Sequence, residues 1–164
     1  MSDTLVRHTV GMADMKISNR DDEVLITFAL GSCLGICVHD PVARVGGLLH
    51  VMLPSSEMHQ EKARKNPFMF VDTGVPRLFQ ECYKLGAKKE RMVVKVAGGA
   101  AAKREEEDSF QIGKNNFLML RKLFWKNGIL IGAQEVGGSD SRTMWLEIGS
   151  GDVVLKINGV ESRL

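Results

Sequence analysis

The sequence predicts an α+β fold, mostly β with two substantial helices, and three observations point to it. Hydrophobic and charged residues make up 44% and 26% of the chain, the balance of an ordinary globular protein. Glycine is enriched at 17 residues while aromatics reach only 6%, which suits many short strands joined by tight turns. Period-two alternation recurs in short apolar runs, whereas helical spacing appears in just two stretches. At 164 residues, with no repeat, Pro/Ser linker or break in composition, residues 1–164 read as one compact domain.

Residues 8–17 and 24–30 read as strands separated by the turn formers Ser18-Asn19-Arg20-Asp21-Asp22. Gly31-Ser32 interrupts the second run. In the next strand, Leu34, Ile36 and Val38 fall on one face, with Cys33, Gly35, Cys37 and His39 on the other. A turn at Asp40–Arg44 folds this strand against another over 45–52, forming a hairpin that ends before Pro54. Residues 55–67 lack a pattern and read as a loop or short helix. From Asp72 to Leu85, the spacing of Val75, Leu78, Phe79 and Cys82 predicts a helix closed by Gly86, with Pro76 in its first turn. A strand over 92–97 leads into Gly98-Gly99, and Glu105-Glu106-Glu107-Asp108 reads as a solvated acidic loop. Asn115 or Asn116 is placed to cap a helix carrying Phe117, Leu120, Leu123 and Phe124, which ends at Asn127-Gly128. Three more strands are expected near 129–135, 143–148 and 153–157.

Composition also excludes functions. Twenty-two basic against twenty acidic residues give a formal charge of +2, too small to argue for nucleic acid or an anionic membrane. No apolar run approaches the ~18–20 residues of a membrane-spanning helix, so membrane insertion is not expected. The stretch Met1–His8 lacks the pattern of a signal peptide, and three cysteines form an odd set, so a cytoplasmic protein with reduced thiols is expected. On a strand, Cys33 and Cys37 stand about 13 Å apart, beyond the reach of a disulfide. The four histidines and three cysteines form no close ligand pairs, so no metal is expected. Gly-Gly pairs fall short of a dinucleotide fingerprint.

The chemistry-bearing candidate is Gly31-Ser32-Cys33-Leu34-Gly35, a G-x-C-x-G pattern. A nucleophile on a tight turn between glycines is exposed, and backbone N–H groups there can face a developing oxyanion. Read alone, Cys33 is equally a small buried hydrophobe. The strand that follows Cys33, and a histidine only seventeen residues downstream, argue against an α/β-hydrolase elbow. They leave a Cys33–His50 pair at the open end of the hairpin. His50, among Leu48, Leu49 and Val51, also reads as a hydrogen-bonded core histidine, and Thr27 as an ordinary strand residue.

Taken together, Thr27–Pro41 (TFALGSCLGICVHDP) and Gly46–Pro54 (GGLLHVMLP) resemble the signature of the CheD family of chemoreceptor glutamine deamidases. The resemblance continues through Asp72-Thr73, Leu85-Gly86-Ala87, Lys95 to Ala100, Ile112-Gly113-Lys114-Asn115-Asn116 and Val136-Gly137-Gly138. Two departures stand near the end of the 92–97 strand and before Thr143. Val96-Ala97 occupies a place where an aromatic residue is common, and Ser139-Asp140-Ser141-Arg142 replaces a shorter Gly-Arg element.

The resemblance implies packed mixed β-sheets with two or three outer helices, similar to toxin-type glutamine deamidases. It implies a catalytic Cys33, His50 and Thr27, no cofactor, and chemoreceptor cytoplasmic helices as substrate. A CheC-type phosphatase is the implied partner. Oxyanion or substrate positioning is expected from Gly31 and Ser32 with the Gly98-Gly99 loop. Two other functions share these residues: a binding regulator that stimulates the phosphatase, and a glutamyl methylesterase. A redox role through Cys33 and Cys37 is disfavoured by their spacing.

Overall fold

The computed structural model describes residues 4–104 and 110–164. Met1–Asp3 and the acidic run Glu105–Asp108 lie outside the described residues. Among the described residues, ten strands form two five-stranded mixed sheets, and three α-helices accompany them. The first sheet has the order β1 (Val6–Thr9), β3 (Glu23–Leu30), β8 (Arg142–Glu147), β9 (Val153–Ile157) and β10 (Val160–Arg163). The second runs β2 (Asp14–Ser18), β5 (Val45–Val51), β4 (Leu34–Asp40), β6 (Val93–Gly98) and β7 (Ala133–Val136). The pairs β1–β3 and β6–β7 are parallel, and the others antiparallel.

Every residue of β4 and β5 is buried, because each strand is covered on both faces. One face, carrying Leu34, Ile36, Val38, Leu49 and Val51, packs against α2 (Val71–Lys84) and α3 (Ile112–Lys126) through Val75, Leu78, Phe79, Leu120 and Phe124. The other face lies against the first sheet, where Cys37, Leu48 and Ala97 meet Leu30, Met144, Leu146 and Leu155. The alternation expected over 33–39 therefore sorts correctly between the two layers. The predicted hairpin forms as β4 and β5, with Gly35 opposite His50.

Helix α2 ends as its sequence predicts. Gly86 has φ +99°, and the N–H groups of Gly86 and Ala87 donate to the Tyr83 and Cys82 carbonyls. Pro76 sits inside the helix, five residues after Val71, rather than in its first turn. Helix α3 starts at Ile112, earlier than expected, after Gln111 in a left-handed conformation (φ 46°). Asn115 and Asn116 are thus within the helix and cap nothing. The unpatterned 55–67 stretch contains the short helix α1 (Gln60–Lys65).

The single strand expected over 8–17 is two strands, one in each sheet, divided by a turn where Ala13 takes φ 53°. Strand β7 begins at Ala133, later than the expected 129. Strand β10 was not anticipated: all four of its residues are exposed, so it lacks the half-buried alternation that marks a strand.

Candidate active site

Strand β3 ends in an irregular crossing from one sheet to the other. Its register with β8 shifts between Thr27 and Leu30, and Ala29 adopts φ 59°, a strained conformation for a residue with a Cβ. Gly31–Cys33 then carries the chain from β3 in the first sheet to β4 in the second. Cys33, half-buried like Gly31 and Ser32, packs on the apolar layer between the sheets.

Backbone contacts hold the crossing in place. The N–H of Gly99 donates to the Cys33 carbonyl (2.9 Å), and the N–H of Ala100 to the Gly31 carbonyl (2.8 Å). Gly98 has φ +111°, and a Cβ there would lie 2.2 Å from the Cys33 oxygen. No side chain fits between these two segments. The Gly99 amide, expected among the oxyanion donors, is committed to the Cys33 carbonyl instead. The Gly98-Gly99 loop fixes the backbone of Cys33.

His50 is fully buried on β5 and faces the first sheet. Its Nδ1 lies 2.7 Å from Oγ1 of Thr27 on β3, a polar bridge across an otherwise apolar layer. The Thr27 hydroxyl also lies 2.7 Å from the Val10 carbonyl oxygen, and this second contact decides the tautomer. A hydroxyl has one proton and a carbonyl can only accept, so Thr27 donates to Val10. Nδ1 must then carry the imidazole proton and donate to Thr27. Nε2 is left with its lone pair, buried and without a partner among the described residues.

Cys33 and His50 share the inter-sheet side of the second sheet. Gly35 is directly opposite His50, and Cys33 stands two residues before Gly35 on the same face, a diagonal relationship that side chains can span. Burial pushes the Cys33 thiol above its ordinary pKa, against the smaller lowering effect of its own N–H. Burial also lowers His50 to about 4, partly opposed by the carboxylate of Asp14, which faces His50 from β2 in the β2–β5 register. Both shifts favour the neutral thiol and the neutral imidazole over an ion pair. The other two cysteines are sealed: Cys37 lies between the sheets, and burial pushes Cys82, on the buried face of α2, up to about 12.

A cavity of about 320 Å³ opens against Gly31 and Ser32, walled by the small side chains of Ala100 and Ala101 and by the start of α3 at Gln111 and Ile112. Cys33 itself is not among the residues that line it. Among the described residues, no cluster of three or more His, Cys, Asp or Glu side chains is placed to hold a metal ion. Nor is any helix long and apolar enough to cross a membrane.

Three participants escaped the sequence reading. The Val10 carbonyl has no sequence signal, since any residue supplies one. Asp14 reads as one residue of the 8–17 strand until the register sets it opposite His50. Asn116 is fully buried, and its Nδ2 donates to the carbonyls of Ser32 (2.9 Å) and Met52 (3.1 Å) while Oδ1 has no partner. Burying such an acceptor costs about 1–3 kcal/mol.

Residues 52–157 match the family described as CheD chemotactic sensory transduction. The probable chemoreceptor glutamine deamidase CheD 1 of Syntrophus aciditrophicus is 47% identical over 150 residues, covering 92% of this chain and 93% of that protein. A probable chemoreceptor glutamine deamidase CheD of Solibacter usitatus is 46% identical over 155 residues (94% and 91%). One from Methanococcus maripaludis is 36% identical over 147 residues (90% and 92%). Among solved structures, a Neisseria meningitidis protein of the DUF152 family gives a TM-score of 0.47 at 8% identity, over 82% of this chain and 64% of that one, too distant a likeness to inform the site. The match across more than half of the sequence, with relatives of this similarity along nearly its whole length, makes the chain a member of the CheD family.

Proposed function

We propose that this chain hydrolyses the side-chain amide of specific glutamines on chemoreceptors, converting them to glutamate, with Cys33 as nucleophile, His50 as base and Thr27 as the residue that orients His50. The relatives' names supply the substrate class. The observation that carries the chemistry is the chain of contacts from Val10 through Thr27 to His50, which leaves the Nε2 lone pair free on the face that bears the Cys33 sulfur.

The steps follow from that tautomer. Nε2 takes the thiol proton as Sγ attacks the carboxamide carbon, so charge separates only as the new bond forms. The resulting oxyanion is stabilised by the N–H groups of the turn, those of Ser32 and Cys33. A well-placed donor of this kind contributes roughly 3–4 kcal/mol. Imidazolium returns its proton to the departing nitrogen, the C–N bond breaks, and ammonia leaves a thioester on Cys33. Water, deprotonated by Nε2, then cleaves the thioester to glutamate and regenerates the thiol. Thr27 is neutral and stabilises the imidazolium less than a carboxylate would, which suits slow, one-time modification of a receptor better than metabolic flux.

The test incubates the purified chain with a receptor cytoplasmic fragment and follows glutamine-to-glutamate conversion by mass spectrometry, with Cys33→Ala as control. Conversion by the wild type and none by the variant is expected; equal conversion by both overturns the reading. A glutamyl methyl ester substrate in the same assay ranks esterase against amidase. Adding a CheC-type phosphatase tests the expected partner, through its effect on the deamidation rate and on phosphatase turnover.

A further inference from the structure

Asn116 lies on α3, on the far side of the second sheet from His50, yet it touches both chain segments that carry the reacting side chains. One amide proton goes to the carbonyl of Ser32, the residue before Cys33, and the other to the carbonyl of Met52, two residues after His50. Because both partners can only accept, the orientation of the amide is fixed and Oδ1 is the atom left unpartnered. A planar group with two N–H donors is what joins these carbonyls; aspartate and leucine offer none.

The same helix meets the crossing a second way. A Cβ on Gly113 would lie 2.3 Å from the Ala100 oxygen and 2.7 Å from that of Gly99. Gly99 and Ala100 are in turn the donors to Cys33 and Gly31. The first turns of α3 therefore brace the nucleophile's crossing both directly and through the Gly98-Gly99 loop.

We propose that Asn116 is a positioning residue that clamps the turn bearing Cys33 to the strand end bearing His50 and so sets the sulfur-to-imidazole geometry. The proposal rests on the thiol–imidazole reading above. It gives the Asn116 side chain a role in the reaction although it does not touch the substrate.

The experiment compares Asn116→Leu and Asn116→Ala with Leu120→Ala, a cavity variant on the same helix whose fully buried side chain lies in the helix-side core. Each is assayed below its own melting temperature, for kcat and KM with the receptor fragment and for the pH dependence of Cys33 alkylation by iodoacetamide. The two Asn116 variants should lose about 30-fold or more in kcat with KM within about twofold, the scale set by small misplacements of reacting groups. Their alkylation should follow the profile of an isolated thiol. Leu120→Ala should keep kcat within about threefold and the wild-type alkylation profile. The proposal is overturned if both Asn116 variants retain wild-type kcat and alkylation, or if Leu120→Ala matches their losses. Should the wild type convert no glutamine while the Asn116 variants still change Cys33 alkylation, the deamidase reading fails and the clamp stands.

Discussion

Thr27 Oγ1 and His50 Nδ1 meet at 2.7 Å between strands that belong to different sheets. The bond gives the imidazole its tautomer only because the threonine's own proton is engaged by Val10. Replacing Thr27 with valine keeps the shape and removes both contacts. Initial rates on the receptor fragment should fall about 10- to 100-fold in kcat, and urea unfolding should show a loss of about 1–3 kcal/mol as two buried partners go unsatisfied. Thr27→Ser, which restores the hydroxyl, should recover most of both.

The depressed His50 makes a prediction about pH. Its folded value, about 4, lies below the ordinary 6.5, so as acid is added the unfolded chain takes up the proton first. The corresponding stability is complete above pH 6.5, declines as pH falls toward 4, and levels off below that. It amounts to about 3 kcal/mol. Urea titrations of wild type and His50→Gln between pH 7.5 and 4 should differ by this dependence. In the assay, the acid limb of kcat should fall near pH 4 instead of near 6.5.

Asp40 anchors the hairpin turn away from the site. Burial raises its pKa, but Arg91 and the N–H groups of Lys88, Ala43 and Val42 outweigh this and hold the carboxyl well below the usual range. Asp40→Ala should lower stability by about 3 kcal/mol, the usual consequence of leaving a buried pair broken. Iodoacetamide alkylation of Cys33 should keep its wild-type rate. The carboxylate's contribution is present above pH 3.8 and disappears as acid protonates the folded form.

Gly113→Ala sets helix propensity against packing. Alanine favours a helix interior by about 1 kcal/mol over glycine, yet its Cβ would press on the Ala100 and Gly99 oxygens. Thermal unfolding should show a net loss, and kcat should fall as the Gly98–Ala100 loop and the crossing it holds are displaced. A stabilised, fully active variant would show that propensity prevails.

Much of this fold is legible wherever the side-chain pattern is regular. The apolar face of α2 and the sorting of Leu34, Ile36 and Val38 away from Cys33 and Cys37 follow from periodicity alone. Cys33, His50 and Thr27 stood out through their combined motif, since each alone has an ordinary reading as a core residue. The division of 8–17 between sheets was not legible, because a chain crossing between two apolar layers keeps its strand-like composition. Asn116 was misread for a related reason. Asparagine before an apolar helix looks like a cap, and only the tertiary structure shows that it donates to Ser32 and Met52.

The bridge from Thr27 to His50 also makes sulfur reactivity a gauge of assembly. The first sheet supplies Thr27, which orients the imidazole; the second carries His50 itself and, backed by α3, the crossing that bears Cys33. On the proposed mechanism, a nascent or half-docked chain lacks the oriented imidazole, so Cys33 gains its base only when the two sheets have closed on each other.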